Sequence, residues 1–98
     1  MGIYLMLSKL TAEGRKVVKY RPEQIKEVNE EIERMGVKIL SQYALFGPYD
    51  FANILEAESE EAILKVAIKK TAGGKLEVIT LPAIPIDKFI ESMKEQEG

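Results

Sequence analysis

Few side chains in this 98-residue sequence could do chemistry, and several of them gather at one turn. Gly47-Pro48-Tyr49-Asp50-Phe51 joins two apolar runs, residues 37–46 and 51–57, and a Gly-Pro pair in that setting reads as a hairpin turn. Tyr49 contributes a phenolic hydroxyl, and Asp50 is one of two aspartates in the sequence. Asp50 has two readings. It either accepts hydrogen bonds from backbone N–H groups of the turn or of the segment 11–14, or it acts as a partly buried general base. Tyr49 either packs its ring at the core edge or donates its hydroxyl to a carbonyl or phenolic oxygen of a ligand. Tyr4, Ser8 and Asn53 are polar groups on otherwise apolar strands, and Thr11 closes the first of those strands. These six residues form the candidate ligand-binding set. Asp87, the other aspartate, belongs to the first turn of a late helix, where the helix dipole accounts for it.

What is missing narrows the chemistry. With no cysteine there can be no disulfide, thiol catalysis or thiolate metal site. With no histidine, Ser-His-Asp catalysis and the commonest transition-metal ligand are excluded as well. Any metal would need an all-oxygen site drawn from two aspartates and scattered glutamates, so no metal and no cofactor is expected. Gly73-Gly74 lacks the spacing of a dinucleotide or P-loop motif and follows a helix rather than a strand. The sequence pI of about 5.3 and the absence of a basic-aromatic strand motif argue against nucleic acid.

No apolar run approaches the roughly 20 residues that span a bilayer, and no signal peptide is evident, so a cytoplasmic location without membrane attachment is the expectation. Glu and Lys dominate the charged residues, which hints at a thermophilic source. Residues 1–26 hold six basic groups against two acidic ones, although the whole sequence is at −2. This asymmetry fits either a solvated loop beside acidic helices or an anion-attracting rim over a ligand cleft.

The elements that must position these residues follow from periodicity. Residues 2–10 form a strand with both rows apolar, Ile3, Leu5 and Leu7 on one side and Tyr4, Met6 and Ser8 on the other. Residues 11–21 show no clear period and read as a long connection, with Gly14 supplying a positive φ. Pro22 opens a helix whose stripe is Ile25, Val28, Ile32 and Met35, and Gly36 stops it. Strands follow at 37–46 and 50–57. Ser59 caps a second helix striped by Ala62, Ile63, Val66 and Ala67. A fourth strand spans 75–81 and breaks at Pro82. Ile86, Phe89, Ile90 and Met93 line a last helix.

The order is βαββαβ with a C-terminal helix. This predicts a single α+β domain over residues 1–98, ferredoxin-like, with a four-stranded antiparallel sheet and helices on one face. The other face is bare, and Tyr4 and Met6 are expected on it. So apolar a surface calls for cover, most simply by a second copy of the chain, and a cleft beside it is a natural ligand site.

Several landmarks then fall in order: Leu10-Thr11-Ala12-Glu13-Gly14 as L-T-x-x-G, Gly47-Pro48-Tyr49-Asp50-Phe51 as G-x-Y-D-F, Glu56-Ala57 ending a strand, and Gly74 before Thr80-Leu81-Pro82-Ala83. In these the chain resembles the GYD-domain family of small proteins. The resemblance implies a ferredoxin-like fold of the dimeric α/β-barrel kind and no established activity. The expected function is an oligomeric binding or regulatory module that dimerises through its open sheet face and takes a small organic ligand. The alternative is a cofactor-free monooxygenase or isomerase with Asp50 as base and Tyr49 as orienting donor, a reading that rests on fold analogy.

Overall fold

A computed structural model describes residues 1–97. The elements are β1 (Gly2–Leu10), α1 (Ala12–Tyr20), α2 (Gln24–Arg34), β2 (Lys38–Ala44), β3 (Phe51–Ala57), α3 (Glu60–Ala72), β4 (Leu76–Ala83) and α4 (Ile86–Glu97). The strands form one sheet in the order β2-β3-β1-β4, and every neighbouring pair is antiparallel. This is the ferredoxin-like arrangement, with β1 and β3 in the centre and α1, α2 and α3 on one face.

Residues 11–21 are a helix rather than a loop. Thr11 is the N-cap of α1, its hydroxyl accepting from the Gly14 amide at 3.1 Å, and Glu13 sits in the first turn. Gly14, Val17, Val18 and Arg21 share one side at helical spacing. Glycine, a poor helix former, hides that period in the sequence. Gly14 has no positive φ. It is instead a close approach: a Cβ there would lie 2.1 Å from the Lys75 carbonyl oxygen. The fourth strand also runs through Pro82 to Ala83. β4 is an edge strand, so a residue without an N–H can be accommodated.

The core lies between the sheet and the helices. Tyr4, Met6, Leu55 and Ala57 from the strands meet Ile32, Val37, Ile63 and Val66. Tyr4 and Met6 therefore face the helices, not the bare side expected for them. Both rows of β1 are apolar, so alternation alone could not choose between them.

The bare face carries the other row. Leu5 stands opposite Ile54 on β3 and Leu81 on β4, and Leu7 stands opposite Ala52 and Ile79. Cross-strand partners share a face, so these residues form a continuous apolar surface that no helix of the chain covers. Ile79 and Leu81 are each nearly half exposed.

The C-terminal helix is equally unpartnered. Ile86, Phe89, Ile90 and Met93 recur at helical spacing, all lie between 45% and 67% exposed, and among the described residues α4 makes no substantial packing contact with another element. The molecule measures 56 × 29 × 18 Å, with a radius of gyration of 15.4 Å where a compact chain of this length gives about 13 Å.

Candidate functional site

The turn and loop motifs of the sequence meet at one place, the exit of β1. The Asp50 carboxylate accepts from the Leu10 amide at 2.7 Å through Oδ2, and the Asp50 amide donates to the Ser8 carbonyl at 2.8 Å. The next residue, Thr11, donates its amide to the Lys75 carbonyl at 3.0 Å and its hydroxyl to the Gly74 carbonyl at 2.8 Å. Gly14 packs on that same Lys75 carbonyl. Gly74 reverses the chain after α3 with a φ of +73°, which favours glycine. Three segments distant in sequence are thus tied by backbone groups into a single knot.

The six candidate residues do not form one cleft. Asp50 and Tyr49 are half-buried at the turn and do not line the cavity between the helices and the sheet. Thr11 is engaged as a cap. Tyr4 is in the core beside Gly2, where a Cβ would come within 3.0 Å of its ring. The Ser8 hydroxyl is buried with no hydrogen-bond partner among the described residues. Asn53 is buried too, and it lines a cavity on the helix side of the sheet.

That cavity, about 220 Å³, lies between the helices and the sheet, against the knot. Val17 and Val18 of α1, Val28 of α2 and Phe51 of β3 give it apolar walls. Its polar groups converge from four elements, α2, β2, β3 and α3. Asn29 and Gln42 exchange two amide hydrogen bonds, at 2.8 and 3.1 Å, joining α2 to β2. With the Asn53 amide turned to satisfy its neighbours, its oxygen accepts from Lys70 Nζ at 2.9 Å and its nitrogen donates to the Ala52 carbonyl at 3.2 Å.

Lys70 is the residue that sequence reasoning missed. Burial lowers its ammonium from the ordinary 10.5 to about 8, and among the described residues it forms no ion pair. Its neighbour Lys69 does, to Glu31 at 3.1 Å across the helix pair. A signal exists in the sequence: Ile63, Val66 and Lys70 share one helical stripe, and a lysine stands where an apolar residue would continue it.

The open antiparallel sheet, the helices on one face and the knot at the end of β1 define a ferredoxin-like α+β protein with a helix-side cavity. More particularly, the chain belongs to the GYD domain family, whose model matches residues 4–93. It is 40% identical over 95 residues to the glutamine synthetase and cystathionine beta-lyase binding protein of Thermus thermophilus, covering 96% of this chain and 100% of that one. The crystal structure of TTHA0845, also from Thermus thermophilus, superposes with a TM-score of 0.55 at 18% identity, over 87% of this chain and 95% of the other. At that identity the likeness is one of fold.

Proposed function

We propose that the protein is a non-catalytic binding module that works as a pair of identical chains and engages an enzyme of nitrogen or sulfur amino-acid metabolism. One observation carries the pairing: a single chain holds an apolar sheet face without a helix and an apolar helix without a sheet. A helix of 12 residues is marginal in water unless its apolar stripe is buried. Two copies related by a two-fold axis satisfy both needs at once, since an isologous interface buries the same patch on each chain.

The enzyme partner is suggested by the Thermus relative, which is named for binding glutamine synthetase and cystathionine beta-lyase. The geometry at the motif favours binding over catalysis, because the Asp50 carboxylate is spent on a backbone amide outside the helix-side cavity. The test is calorimetric titration of the intact protein into glutamine synthetase and cystathionine beta-lyase from its own source. Saturable binding to one of them is expected. Binding to neither would overturn the partner assignment.

A further inference from the structure

We propose that the helix-side cavity binds a small organic acid, its carboxylate on Lys70 and its apolar body against Val17, Val28 and Phe51. This site lies on the opposite side of the sheet from the bare face and does not rest on the pairing described above.

An ammonium has three donor hydrogens, and Lys70 uses one, to Asn53. Lys70 is half-buried, and a charge partly removed from water is normally paired, since leaving it unpaired is costly. The other ionisable residues lining the cavity are Arg21, Glu31, Lys69 and Lys75. Glu31 is the sole carboxylate among them, and it is already paired with Lys69 at 3.1 Å. Arg21 is paired with Glu23 and Glu27, so among the described residues the cations left without a carboxylate at the cavity are Lys70 and Lys75, in a chain whose net charge is −2. The lowered ammonium is still mostly protonated at neutral pH, so it offers a cation rather than a neutral amine.

Shape selects among anions. An inorganic anion would leave the valine and phenylalanine walls unused, whereas an aliphatic or aromatic acid covers them and removes that surface from water. The volume, about 220 Å³, falls below the roughly 300–1,000 Å³ of drug-sized sites, which suits a small acid better than a nucleotide or coenzyme. Keeping lysine at this position sacrifices stability, because a methionine would continue the α3 stripe without a buried charge. Such a sacrifice is expected where a site serves a ligand.

The test is an amide NMR titration with phenylacetate and isocaproate, each against its uncharged amide. The acids should shift the amides of Val17, Val28, Asn53 and Lys70 saturably, and the neutral amides should bind at least about tenfold more weakly, the worth of one charge-assisted hydrogen bond. Lys70→Met should abolish the difference between acid and amide. Val17→Trp, which fills the cavity from the partly exposed helix α1, should abolish binding of both. Neither acid shifting the cavity residues at millimolar concentration would overturn the proposal. So would equal affinity for acid and amide in the wild type, or acid binding at wild-type strength in Lys70→Met. Light scattering of the Lys70→Met protein should match the wild type, which separates this site from the pairing.

Discussion

The Asp50 carboxylate holds the Leu10 amide at 2.7 Å while the Asp50 amide donates to the Ser8 carbonyl at 2.8 Å. A side chain thereby extends the β1–β3 pairing past Phe51, its last main-chain partner opposite Ser8. This joins the hairpin turn to the start of α1 and gives the aspartate of the turn motif a structural role.

Removing that carboxylate should weaken the fold rather than an activity. Asp50→Ala leaves the Leu10 N–H without its partner and should cost about 1.5–3 kcal/mol in urea unfolding. Asp50→Asn keeps an acceptor oxygen and should cost roughly 1 kcal/mol or less. Equal stability of Asp50→Ala and the wild type would contradict the structural role.

Gly14→Ala offers a test with opposed expectations. On helix propensity alone alanine would gain up to about 1 kcal/mol. The contact with the Lys75 carbonyl predicts the reverse, a loss of roughly 1–3 kcal/mol as α1 is pushed off the α3–β4 turn. Thermal unfolding of the variant decides the sign.

Lys70 should give the stability curve a particular shape. Its folded-state value of about 8 lies below the ordinary 10.5, so between those pH values the unfolded chain binds more protons than the folded one. Stability therefore rises with pH across that window, by roughly 3 kcal/mol in total, and the full cost of the buried charge is felt below it. Lys70→Met should be more stable than the wild type at neutral pH and should lose the rise. Identical pH curves for the two proteins would show that the ammonium is not desolvated.

The strand order, α2, α3 and α4 are legible in the sequence because their apolar periods and caps are unambiguous: Ile25, Val28 and Ile32 on α2, and Ser59 with two glutamates opening α3. α1 is hidden because its buried face is made of Gly14 and two valines, all poor helix formers that a close approach and a cavity wall require. The direction of Tyr4 and Met6 is hidden because β1 is apolar on both sides. Within the site, Asn53 stands out as an amide on an apolar strand, and Asp50 accepts from a backbone amide, though that of Leu10 at the end of β1 rather than one of the turn or of residues 11–14. Lys70 continues the Ile63–Val66 stripe, but that signal is easily passed over, since a lysine at the end of a helix ordinarily serves the dipole. Only the third dimension shows it turned toward Asn53.

Pairing through the bare sheet face is the central claim. Leu5 sits at the middle of that face between Ile54 and Leu81, so a charge placed there should break the pairing without disturbing the core on the other side of the sheet. The most direct measurement is light scattering of the wild type and Leu5→Glu at micromolar concentration. The predicted result is a wild-type mass of twice the 11.0 kDa chain and a Leu5→Glu monomer with unchanged circular dichroism. A wild-type protein that stays monomeric with its apolar face in water would contradict the claim.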